Sequence, residues 1–179
     1  MGRISTEDKT RPYSVYIVDQ ENMVDGSGVL FYPGGNRLFV FTCAHVVDRS
    51  ENVRLVLLKP VSVERDLYQM VQIQIPKEQI LYSPLDHVTE QGGEMVHSED
   101  FAIIQVQKPQ GLELEPTHYF LGETLRNNPI YTQGYPNGVP ENAKPLDYLE
   151  CFHGSVVVNA ADEGYFTVRI TDGFLDQGS

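Results

Sequence analysis

Cysteine is scarce in this chain. Its 179 residues include only two, Cys43 and Cys151, which excludes a disulfide-stapled scaffold. Basic residues are also few. Thirteen lysines and arginines stand against 25 acidic residues, for a net charge of -12. That balance argues against nucleic acid and against an anionic membrane surface as partners. No apolar run reaches the length of a bilayer span. The opening MGRISTEDKTRP lacks the apolar centre of a secretory signal, so the setting expected is cytoplasmic. No segment sustains a helical period, and neither an internal repeat nor a low-complexity tract is present.

What is present is strand. The composition is 41% hydrophobic and 21% charged, which is globular, and the length suffices for one domain or two small lobes. VQIQI (71–75) and FTVRIT (166–171) alternate apolar and polar residues with the period of a half-buried strand. SVYIVD (14–19), GVLFY (28–32), RLFVFT (37–42), VRLVLL (53–58) and FAIIQV (101–106) are β-rich runs bounded by turn residues. Pro33-Gly34-Gly35-Asn36 reads as a hairpin connection, and a single helical turn is expected near Ala44. The segment QKPQGLELEPTH (107–118) contains two prolines and a glycine. It divides the chain into a first β lobe over 13–107, a linker over 108–117 and a second lobe over 118–179. The fold class expected is all-β, with two barrels and a cleft between them.

One imidazole stands out. RLFVFT runs directly into Cys43-Ala44-His45, and apolar residues resume at Val46-Val47. His45 is either a core histidine or a general base. A base of the Ser-His-Asp type needs a carboxylate to hold its tautomer and backbone N–H groups to stabilise an oxyanion. Asp100, at the mouth of the strand FAIIQV, is the candidate carboxylate. TDGFLDQGS (171–179) adds a glycine-rich turn and a serine.

These stretches together resemble the trypsin-like, chymotrypsin-fold serine proteases. GSGVLFYPGGNRLFVFTCAHVVD (26–48) is similar to the first-barrel hairpin and T-x-A-H-V-V motif of the HtrA-like bacterial branch. EDFAIIQV (99–106) resembles the family's D-[IL]-A-[LV]-[LI]-x-V strand, QGYPNG (133–138) its second-barrel turn, and TDGFLDQGS its approach to the nucleophile. The resemblance implies two six-stranded-type barrels, the second incomplete. It implies an endopeptidase in which His45 is the base and Asp100 orients it. Gly178 would contribute to the oxyanion hole, and Phe174 would line the primary pocket. Matching Thr171-Asp172 to the family's Thr-Asp puts the nucleophile just after Ser179; a second register makes Ser179 itself the nucleophile. In the favoured register the chain stops short of its nucleophile and should not hydrolyse peptides by itself. Strand 164–171 would then show an open edge. Ser179, at the position where trypsin-type zymogens carry an aspartate, has no charge to pair with a buried N-terminal amine, so the N-terminus should not insert beside it.

The partners expected are a protein or peptide substrate and further C-terminal domains of a longer parent; no cofactor is expected. Two other classes stand beside the serine enzyme. One is a catalytically degenerate protease fold used for binding or sensing. The other is a cysteine nucleophile, as in viral relatives. Cys43-x-His45 and Cys151-x-His153 lack the usual spacing of structural zinc ligands, and no metal site is expected. Cys43 is expected to pack as a small apolar side chain, and His87, His97, His118 and His153 to be surface or loop residues. The Gly-Ser-Gly at 26–28 is no phosphate loop, because neither a lysine nor a helix follows.

Overall fold

SVYIVD and VRLVLL do not alternate, and their packing explains why. In this computed structural model, Val15 and Ile17 point into the main core with Leu55 and Leu57, while Tyr16 and Val56 face the other way into a second apolar cluster. A strand covered on both faces has no solvent side to encode, so its sequence reads as a continuous apolar run.

The structure describes residues 10–19, 24–47, 52–62, 67–82, 88–91, 94–97, 101–117, 129–136, 138–140, 143–160 and 165–172. Twelve strands lie among them. The first nine are β1 (Ser14–Asp19), β2 (Val24–Phe31), β3 (Arg37–Thr42), β4 (Asn52–Ser62), β5 (Leu67–Pro76), β6 (Ile80–Tyr82), β7 (Val88–Gln91), β8 (Glu94–His97) and β9 (Ala102–Gln107). The remaining three are β10 (Pro129–Gly134), β11 (Glu150–Ala160) and β12 (Tyr165–Asp172). Helical structure among the described residues is confined to single turns such as Ala44–Val46 and Pro145–Tyr148.

Seven strands form one sheet in the order β5-β4-β1-β2-β3-β9-β6, curled into a half-barrel. A second sheet has the order β10-β11-β12, and β7 pairs with β8 as a separate hairpin. All neighbours are antiparallel. The tight β2–β3 connection depends on Gly34 and Gly35, whose φ values of 101° and 77° lie where a Cβ would be strained.

The core fills the concave side of the large sheet. Leu38, Val40, Val53, Leu55 and Ile104 are all 0% exposed there. Each such side chain contributes about 1.5–3 kcal/mol over its exposed state. Gly28 belongs to this packing: a Cβ at that position would lie 2.6 Å from Val40 Cγ1 and 3.1 Å from Ile17 Cδ1.

Residues 108–117 run along the first lobe. Leu112 is 2% exposed within the main core. The Thr117 N–H donates to the Tyr32 carbonyl at 2.8 Å, and the Tyr13 hydroxyl donates to the Glu115 carbonyl at 2.9 Å. The second sheet meets the first through a cluster of Tyr16, Val56 and Tyr135, with Val18, Val139 and Leu149 packed around it. Among the described residues, β12 pairs with β11 on one side and is the last strand of the second sheet.

Candidate functional site

The β2–β3 ladder delivers His45. Its last register pair on this side is Val29↔Phe41, so the two strands part beyond Phe41. Where the ladder stops, a side chain takes over: the Thr42 hydroxyl donates to the Ser27 carbonyl at 2.8 Å. The chain then leaves the sheet. Cys43 is still extended, and Ala44–Val46 form one 3-10 turn. The Val46 N–H donates to the Cys43 carbonyl at 3.2 Å and the Val47 N–H to the Ala44 carbonyl at 2.9 Å.

Burial divides this turn sharply. Ala44 and Val47 are 0% exposed and Val46 is 6% exposed, whereas His45 between them is exposed. Three apolar anchors hold the backbone and leave the imidazole outside, so His45 is not a core histidine. Gly26 completes the seat. A Cβ there would lie 2.6 Å from Val46 Cγ1 and 2.8 Å from Val46 Cγ2, so only a glycine leaves the floor open for Val46.

Cys43 departs from expectation. It is exposed rather than packed as a small apolar side chain, because Ala44 occupies the inward position at the start of the turn.

β9 brings the carboxylate's stretch of chain to the same end of the sheet. The β3–β9 ladder closes with Thr42↔Ala102. Continuing from Thr42 leads in three residues to His45, and stepping back from Ala102 leads in two to Asp100. Asp100 itself lies outside the described residues. So do Phe174, Gly178, Ser179, His87, His118 and the N-terminal residues 1–9. Thr171 and Asp172 end β12, where Asp172 pairs in register with His153 of β11.

The chain around the second sheet reaches the His45 region through Ser27 and Tyr135, which lie in the stretches 26–28 and 133–138 but carry no role in the sequence reading. The Tyr135 N–H donates to the Ser27 hydroxyl oxygen at 2.6 Å. Gly134 permits this approach, since a Cβ there would lie 2.9 Å from Ser27 Oγ. The Tyr135 and Tyr16 rings pack with centroids 5.1 Å apart, and the Val139 N–H donates to the Tyr16 hydroxyl at 3.2 Å. The available sequence signal was a serine held between two glycines inside an apolar strand.

The Tyr135 hydroxyl is buried without a hydrogen-bond partner among the described residues. Burial raises its pKa above the usual phenol value. A raised folded-state pKa gives stability that is complete below the unfolded value of about 10 and is lost as pH rises above it. Tyr135→Phe removes both the unpartnered hydroxyl and this linkage. It is expected to raise stability by about 1 kcal/mol at neutral pH and to flatten the loss of stability above about pH 10, as measured by urea unfolding across pH.

The two C-x-H pairs stand apart: Cys43 and His45 are on the turn after β3, and Cys151 and His153 are on β11. The Cys151 sulfur accepts hydrogen bonds from the Tyr131 hydroxyl at 3.3 Å and from Gln133 Nε2 at 3.0 Å. His153, half-exposed on β11 rather than in a loop, packs edge-on to the Tyr131 ring with centroids 4.9 Å apart. Among the described residues no three His, Cys, Asp or Glu side chains converge as metal ligands. A groove of about 620 Å³ lies between β5 and the start of the 108–117 segment, lined by residues such as Ile73, Lys108 and Gly111. It does not include His45.

The fold has solved counterparts. The chain is similar to mouse neuropsin, a serine protease expressed in the limbic system of the brain, at 19% identity and a TM-score of 0.52; the match covers 87% of this chain and 64% of that one. It is also similar to the scabies mite inactivated protease paralogue S-I1, at 17% identity and a TM-score of 0.53, covering 88% of this chain and 66% of the other. Kallikrein-related peptidase 10, in complex with Zn²⁺, matches at 10% identity with a TM-score of 0.51, covering 91% of this chain and 70% of the other. The chain thus spans less than two thirds of the neuropsin chain. These likenesses show an all-β, chymotrypsin-like fold. No curated protein matches the sequence. The trypsin-like peptidase domain model matches residues 26–175, from the glycine beneath Val46 through the strands of the second sheet, and the chain belongs to that family.

Proposed function

We propose that this chain carries the base half of a serine endopeptidase site. His45 takes the nucleophile's proton and later returns it to the leaving amine. Asp100 holds the imidazole tautomer. The nucleophile occupies the position after Ser179 in the favoured register, or Ser179 in the other. Gly178 contributes to the oxyanion hole, and Phe174 borders the primary pocket. The substrate is a protein or peptide, and within the family the HtrA-like branch is the proposed affiliation.

The observation that carries this reading is the Thr42↔Ala102 pairing. It brings the two chain segments that lead to His45 and Asp100 to one end of the large sheet, with the imidazole exposed on a turn whose neighbours are buried. An imidazole in water on a rigid support can exchange protons with a substrate.

A second reading is a binding or sensing module that keeps the fold without the chemistry. It draws support from the inactivated paralogues among the solved neighbours, because a fold does not impose an activity. The test is peptide hydrolysis by this chain beside a form lengthened by roughly 25–40 residues, enough for the family's nucleophile turn and a few strands. Hydrolysis by the longer form alone supports the enzyme in the favoured register. Equal turnover by both makes Ser179 the nucleophile. Inactivity of both, with the folds intact, overturns the enzyme in favour of the binder.

A further inference from the structure

We infer that Ser27 is a positioning residue that couples the His45 turn to the second lobe. Its carbonyl and its hydroxyl are engaged by two different elements. Its carbonyl accepts the Thr42 hydroxyl at 2.8 Å, three residues before His45. Its own hydroxyl accepts the Tyr135 N–H at 2.6 Å, at the end of the first strand of the second sheet.

The surrounding glycines leave Ser27 as the only side chain of the tripeptide. Gly26 sits under Val46, the residue after His45. Gly28 sits against Val40, in the strand that leads to His45. The tripeptide therefore touches the approach to the turn, the turn itself and the second lobe. A displacement of Tyr135 acts on Ser27, and Ser27 acts on Thr42 without an intervening flexible segment. Ser27 also belongs to β2, where it pairs in register with Tyr16, and the Tyr16 ring packs on Tyr135. The link thus has a polar strand and an aromatic strand side by side. Rigid, doubly engaged groups of this kind transmit a sub-ångström shift because close-packed neighbours have no slack to absorb it.

The functional consequence rests on the protease reading. A two-lobe enzyme whose base stands on one lobe and whose nucleophile turn stands on the other must fix the lobes relative to each other. An error of about 1 Å in the base costs up to about a hundredfold in rate. Ser27 would supply that register without touching substrate.

The experiment reads the coupling by NMR on this chain, with no need for turnover. The sequence has five histidines, and His45→Gln identifies the His45 ring signals. Three further variants are compared: Ser27→Ala, Thr42→Val, and Thr42→Ser, which keeps the hydroxyl. Ser27→Ala is expected to speed Tyr135 amide exchange about tenfold or more and to shift the His45 ring signals. Thr42→Val is expected to shift the His45 ring and, through Ser27, the Tyr135 amide; Thr42→Ser should restore both. Reciprocity is required of a genuine coupling. If Ser27→Ala moves the Tyr135 amide but leaves the His45 ring signals unchanged, Ser27 only fastens the two sheets and the inference fails. If Ser27→Ala does not fold, Thr42→Val read at Tyr135 decides alone: a shift supports the coupling and none overturns it. In a hydrolytically active longer form, Ser27→Ala should lower kcat about tenfold with KM unchanged. Inactivity of that longer form removes the protease reading while leaving the NMR result to stand or fall separately.

Discussion

Replacing His45 by alanine in a nucleophile-bearing form of this protein is expected to lower kcat by on the order of 10⁴- to 10⁶-fold, with little change in KM or in the unfolding midpoint. On the proposed reading the kinetic loss is large because the base acts directly on the reacting proton. The small stability change follows from exposure. His45 is exposed, while Ala44, Val46 and Val47 supply the buried contacts that hold the turn. Steady-state kinetics and urea unfolding on one variant separate the two. A large fall in unfolding midpoint would mean that the imidazole supports the fold. A kcat within about tenfold of the parent would mean that it is not the base.

Leu55→Ala should have the largest effect on stability, a loss of about 3–5 kcal/mol. Leu55 is 0% exposed in β4, in register with Ile17 on one side and Ile73 on the other. Three adjacent strands meet at that position, and an antiparallel sheet pinned on both sides cannot collapse onto the cavity. Since whole domains of this size are stable by only about 5–15 kcal/mol, the loss consumes much of the total. Chemical denaturation measures it. A loss below about 1.5 kcal/mol would show that the core tolerates rearrangement and that the half-barrel is less tightly packed than described.

The first lobe was largely legible in the sequence. SVYIVD and RLFVFT coincide with β1 and β3 residue for residue, and FAIIQV differs from β9 by one residue at each end. The connection at 33–36 and the single turn at Ala44 were also readable, because glycine and the break in apolar pattern mark them locally. VQIQI and VRLVLL were found but underestimated, since β5 runs from Leu67 to Pro76 and β4 from Asn52 to Ser62. The outer parts of this long pair lie where polar residues and a proline blur the signal.

The second lobe was much less legible, and β11 shows why. Its register against β12 shifts between His153 and Gly154 and again between Val156 and Val158. The first leaves Thr171 of β12 as the extra residue; the second leaves Val157 extra in β11 and breaks there the two-residue period on which recognition of a strand depends. β10 starts with Pro129 and ends with Gly134, both of which look like punctuation rather than strand. FTVRIT, with its clean alternation, was the exception and lies within β12.

For the site, the sequence singled out His45 and Asp100 as candidates because histidine and aspartate carry their chemistry in their side chains. It could not identify Ser27 or Tyr135 as partners, because their contact uses a backbone N–H and joins positions 108 residues apart. Local pattern holds no record of such a meeting. The misplacement of Cys43 has a similar origin. Its position next to a buried strand suggested burial, but the chain leaves the sheet after Thr42 and the alternation does not carry through the turn.

The central claim is that His45 and Asp100 act as one unit on a nucleophile's proton. The measurement that tests it most directly is a double-mutant cycle on kcat/KM in the nucleophile-bearing form, using His45→Ala, Asp100→Ala and both together. The account predicts strong non-additivity: once His45 is gone, removing Asp100 costs less than about threefold more, because a carboxylate that only orients the base has nothing left to orient. Losses that multiply, leaving the double variant slower by the product of the two single losses, would contradict it.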